Sequence, residues 1–82
     1  MLHACIGIRS LTYAQRAARI LEGRGIRALA VRAPGNSSGC AWCVRVPAAQ
    51  GEKAVGLLRE AGLQPERVYW EGESGAFRER KP

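Results

Sequence analysis

Leu2, Ala4, Ile6 and Ile8 alternate with His3, Cys5, Gly7 and Arg9, the period-two pattern of a strand with one face on a core. Ser10 and Thr12 then supply helix-cap chemistry, and Ala14, Ala17, Ala18 and Leu21 recur at helical spacing opposite Gln15, Arg16, Arg19 and Glu22, which predicts an amphipathic helix of about three turns. Gly23 and Gly25 bracket its end, where a chain leaving a helix often needs a left-handed residue. Residues 26–33 are apolar at nearly every position and stop at Pro34-Gly35-Asn36, a turn cluster, so a second strand is expected there with both faces apolar. A third runs over 40–46, with Trp42, Val44 and Val46 on one side and Ala41, Cys43 and Arg45 on the other.

Pro47 closes that strand and can open a second helix, whose stripe is Val55, Leu57, Leu58 and Ala61 and whose stop is Gly62. Residues 63–70, with Val68 and Trp70, read as a fourth strand. From 71 to 82 the chain is polar, and Phe77 is its one apolar anchor, which predicts a mobile tail behind a single domain at 1–70. The order β-α-β-β-α-β is the ferredoxin-like, α+β arrangement. Right-handed crossovers put both helices on one face of a four-stranded antiparallel sheet and leave the other face open. If strands one and three turn their aliphatic residues to the helices, His3, Cys5, Cys43 and Arg45 share the open face.

At 82 residues there is room for one domain with a thin core, so a homodimer covering part of that core is an alternative to a monomer. Three cysteines, an odd number, do not complete the disulfide framework of small secreted domains, which points to the reducing cytoplasm. No stretch has the roughly 20 apolar residues of a membrane span, and the apolar start has neither the basic n-region nor the cleavage site of a signal peptide. The net charge is +6, nearly all the positive charge is arginine, and aspartate is absent. Arginine suits an anionic partner, whereas paired-carboxylate chemistry has little to work with. Nucleic acid is disfavoured, because an RNA-binding domain of this architecture stacks bases on aromatic residues of strands one and three, and Trp42 has the wrong parity. With no glycine-rich phosphate loop, no cofactor is expected.

The most informative stretch chemically is Ser37-Ser38-Gly39-Cys40-Ala41-Trp42-Cys43. It puts the Cys40 thiol where a polar loop becomes a strand. Gly39 permits close approach of a ligand, Ser37 and Ser38 can donate hydrogen bonds, and Arg32 and Arg45 are candidates to favour a thiolate. A thiolate is what nucleophilic attack or persulfide formation requires. The Cys-x-x-Cys spacing also admits a disulfide or chelation by Cys40 and Cys43, provided Cys40 lies in the loop, since an odd separation within a strand changes face. Zinc needs four ligands, and His3, Cys5, Cys40 and Cys43 are the only set; this is the minority reading, and no metal is expected. Cys5 and Cys43 read more simply as small packed strand residues.

The run Ser10-x-Thr12-x-Ala14-x-Arg16-Ala17 into Ile20-Leu21 and Gly25-Ile26, then Pro34, then Ser37-Ser38-Gly39-Cys40 and Val44-Arg45, resembles the selenium/sulfur carrier-like family of small bacterial domains. The resemblance covers residues 2–70, and Ala41 stands where that family usually has glycine. It implies a carrier rather than a true enzyme, with Cys40 holding sulfur or selenium between donor and acceptor proteins. The residues expected around Cys40 are Ser37, Ser38, Gly39, Cys43 and Arg45, with Cys43 as a resolving thiol by our own inference. The competing reading is a non-catalytic interaction or regulatory module that dimerises through the open sheet face or binds a small anion.

Overall fold

The computed structural model describes residues 3–33, 42–71 and 77–80. Its elements are β1 (His3–Ile8), α1 (Leu11–Gly23), β2 (Leu29–Arg32), β3 (Trp42–Pro47), α2 (Gly51–Glu60), β4 (Arg67–Glu71) and β5 (Phe77–Arg80). They form one antiparallel sheet in the order β2-β3-β1-β4-β5. The first four strands with the two helices make the ferredoxin-like arrangement that the alternation predicts. β1 is central, pairing Ile6 with Val44 of β3 on one side and with Val68 of β4 on the other.

Parity along β1 and β3 decides which side chains meet the helices. Ala4, Ile6 and Ile8 join Val44, Val46, Val68 and Trp70 in one core with Ala14, Ala17 and Leu21 of α1 and Ala54, Val55 and Leu58 of α2. The inner face of α1 is alanine-rich, which lets its backbone come close to the sheet. Both helices stop in the same way. Gly25 and Gly62 take φ of 81° and 82°, where a Cβ would be strained. Ile26 N–H then donates to Leu21 O and Leu63 N–H to Leu58 O, each at 2.9 Å. This is the Schellman pattern, with Ile26 and Leu63 folded back into the core as its apolar contact. At the start of α1 the Ser10 side chain accepts from Tyr13 N–H at 3.2 Å, as its cap role predicts.

Several boundaries differ from the expected ones. β2 begins at Leu29 rather than residue 26, because Ile26 serves the helix stop and Ala28 N–H donates to Glu22 Oε1 at 2.9 Å. Pro47 ends β3 and is followed by a single 3-10 turn, Ala48–Gln50, so α2 starts at Gly51. β4 starts at Arg67 rather than residue 63, because Leu63 completes the stop of α2. A fifth strand, Phe77–Arg80, pairs with β4. It has no counterpart among the four strands expected.

Gly51 marks the tightest packing between helix and sheet. A Cβ there would lie 2.5 Å from Trp70 Cη2 and 2.9 Å from Ala4 Cβ, whereas one on the exposed Gly56 would meet nothing within 4 Å. We predict that Gly51→Ala lowers unfolding free energy by about 1–3 kcal/mol through overpacking. Gly56→Ala should raise it by about 0.5–1 kcal/mol through helix propensity. Equilibrium urea unfolding of both variants checks this, and an unperturbed Gly51→Ala would refute the close approach.

Candidate functional site

The register brings three strand ends together. Trp42, the first residue of β3, pairs with Arg32 of β2 and with Ile8 of β1, and α1 starts three residues beyond Ile8. Residues 34–41 therefore connect two paired strands at the same end of the sheet as the capped start of α1. Cys40, Ser37, Ser38 and Gly39, on which the expected site centres, lie within this connection and outside the described residues.

Two exposed guanidinium-bearing residues belong to that end. Arg32 lies over Trp42, with Cζ 5.2 Å from the ring centroid, a cation–π contact. Arg9 follows β1 directly and, with Ile8, Tyr13, Leu63 and Glu66, lines a cleft of about 300 Å³. Arg9 escaped the sequence reading because nothing in its neighbourhood marks it off from the chain's other solvated arginines. Its placement follows from where β1 ends.

Cys43 is the second expected site residue. It sits next to Trp42 with its side chain on the sheet face away from the helices, in a cluster with Cys5 and Tyr69 flanked by Val31 and Ala33. The register makes the contacts explicit: Val31 is opposite Cys43, Tyr69 is opposite Cys5, and the two cysteines are diagonal neighbours across β1 and β3. Both were read as small packed residues on an otherwise open face, and both are packed, within the chain itself. Cys5 is 4% exposed and Cys43 0%. Alternation assigns a side chain to a face but does not say whether that face is covered. Neither thiol is disulfide-bonded. Cys43 Sγ approaches Arg32 O at 3.8 Å, a weak S–H donation to a carbonyl that suits a protonated thiol.

Arg45, the remaining expected site residue, lies further along β3. Its Nη2 is 3.2 Å from His3 Nδ1 and 3.3 Å from Nε2. The lone pairs of the two ring nitrogens diverge, so near-equal distances put the guanidinium against the ring rather than along one directed hydrogen bond. His3 and Arg45 thus join one another toward the sheet end away from residues 34–41. Cys5 and Cys43 form the separate, buried cluster. Among the described residues no group of three or more His, Cys, Asp or Glu could hold a metal, and Cys40 of the four-ligand set considered above is outside them.

Burial of the two strand thiols predicts their chemistry. Iodoacetamide should leave Cys5 and Cys43 unmodified in the native protein and alkylate both after denaturation, as read by peptide mass spectrometry; native modification of either at the rate of a free thiol would contradict the packing. Tyr69 is 6% exposed, and its hydroxyl has no hydrogen-bond partner among the described residues. Tyr69→Phe is accordingly predicted to change stability by less than about 0.5 kcal/mol, against the roughly 1–3 kcal/mol expected when removing one partner strands the other. Urea unfolding distinguishes the two.

No helix among the described residues is long and apolar enough to cross a membrane. Comparison with curated proteins and with solved structures gives no match. A family model described as "Putative Se/S carrier protein-like" matches residues 3–70, from the first residue of β1 to within one residue of the end of β4. The match thus spans the whole βαββαβ unit and stops before β5, and the chain belongs to that Se/S carrier protein-like family.

Proposed function

We propose that the protein carries a sulfur or selenium atom on Cys40 and passes it between partner proteins. The observation that carries this reading is membership of the Se/S carrier-like family over residues 3–70, combined with the distribution of thiols. Of the three cysteines in the chain, Cys5 and Cys43 are packed inside the sheet layer. Cys40 belongs instead to the polar Ser37-Ser38-Gly39 connection between β2 and β3.

In the loading step the Cys40 thiolate attacks the outer sulfur of a donor persulfide. A new S–S bond forms as the donor's S–S bond breaks, and the electron pair leaves on the donor thiolate. The carrier then holds Cys40–S–SH, or Cys40–S–SeH from a selenosulfide donor. No net oxidant or reductant is consumed. Delivery repeats the exchange with the acceptor's thiolate as nucleophile and Cys40 as leaving group. Arg9 and Arg32, at the same end of the sheet, favour the anionic forms on either side of each exchange. Cys43, packed beside Cys5 and Tyr69, takes no part in either exchange on this reading.

Anaerobic incubation with a persulfide or selenosulfide donor, followed by intact and peptide mass spectrometry, tests the proposal. A single-chalcogen adduct on Cys40, lost in Cys40→Ser and retained in Cys43→Ser, is the expected result. Equal adducts on all three cysteines, or none on Cys40, would sink it.

A further inference from the structure

The sheet ends on one side in β2, an edge strand of four residues, Leu29–Arg32. An edge strand presents a row of backbone N–H and C=O groups that a further strand can pair with. Leu29 is 61% exposed, more than the other large exposed apolar residues among those described, Leu11 and Tyr13. At the start of β2 a cleft of about 230 Å³ is lined by Arg27, Leu29, Arg45, His3 and Pro47, and no carboxylate among the described residues lines it. Glu22 does approach this region, but its Oε1 accepts from Ala28 N–H. At the far end of β2 stands exposed Arg32, after which the chain enters the connection that holds Cys40. Cation-lined cleft, exposed leucine and an edge that no strand among the described residues covers thus follow one another, with β2 itself covering about 13 Å.

We infer that this strip is the docking site for an extended acidic segment of the donor or acceptor protein, which adds as a strand to the β2 edge. Main-chain pairing supplies the affinity and alternate side chains the specificity. A carboxylate at one end of the segment reaches the Arg27 cleft, and an apolar residue covers Leu29. A second copy of the chain fits poorly. Two antiparallel β2 edges would set Leu29 of one copy against Arg32 of the other and Ala30 against Val31, an interface with no carboxylate to meet either arginine. Nucleic acid fits poorly as well, since the large aromatic residues of β4, Tyr69 and Trp70, are buried rather than displayed for stacking. The inference deepens the carrier reading and rests on it for the identity of the partner, though not for the surface itself.

Titration of the isotopically labelled, reduced wild-type chain with a synthetic peptide alternating glutamate and valine, followed by amide NMR shifts, tests the assignment. Shifts concentrated in residues 27–32, with affinity about tenfold weaker for Arg27→Glu, for Leu29→Ser and for a glutamine-for-glutamate peptide, are expected. Both substituted residues are exposed, and unchanged spectra elsewhere confirm the fold of each variant. Shifts mapping to another surface, equal binding of the glutamine peptide, or tighter competition by a single-stranded oligonucleotide at the same residues would overturn it. Mass-spectrometric loading of Arg27→Glu from a small-molecule persulfide separates the two readings. Loading at the wild-type level with no peptide binding removes only the docking strip, and peptide binding with no loading on Cys40 removes only the carrier.

Discussion

Everything in this fold hangs from the double pairing of β1. With β3 on one side and β4 on the other, five of its six residues, His3 to Gly7, are committed on both edges, and Ile8 on the β3 edge. Alternation leaves each one a single choice of face. Ala4, Ile6 and Ile8 take the helix side and meet the alanine face of α1 and the Val55–Leu58 face of α2, while Cys5 and Gly7 take the other. A one-residue slip would exchange these sets and put thiol and glycine into the core. The same register puts Trp42 between Arg32 and Ile8, and so fixes the sheet end from which residues 34–41 depart.

The consequence for function is a separation of the cysteines by packing. The sheet places Cys5 and Cys43 within one apolar cluster with Tyr69 and keeps both away from solvent. Chalcogen exchange needs an accessible thiolate, so these two are suited to inertness in the folded state. The connection between β2 and β3 has the opposite composition, serine and glycine around Cys40. Arg32, Arg9 and the end of β2 stand at the sheet end from which that connection departs.

Much of this was legible from residues alone, for identifiable reasons. Strict alternation in β1 and β3, the Ser10 cap and the glycine stops at Gly25 and Gly62 each have one low-energy reading, and together they specify the βαββαβ order. What escaped reading depends on partners distant in sequence. Phe77–Arg80 has no alternating apolar pattern, and its strand exists because the edge of β4 offers it a ladder. The meeting of Arg45 with His3 spans 42 positions and follows from register. Cys5 and Cys43 read as packed residues from the start, but what covers them, Tyr69, Val31 and Ala33, is a matter of neighbours that parity cannot supply. The family resemblance drawn from the Ser37–Cys40 run and its flanks agrees with the match over residues 3–70.

The central claim is that the chalcogen resides on the loop thiol while the sheet thiols stay out of the exchange. Anomalous diffraction at the selenium absorption edge, from crystals of the protein loaded with a selenosulfide donor, tests it most directly. The account predicts one selenium peak bonded to Cys40 Sγ, with Cys5 and Cys43 unmodified in an undisturbed sheet. A peak on Cys5 or Cys43, or selenium bridging the pair, would contradict it.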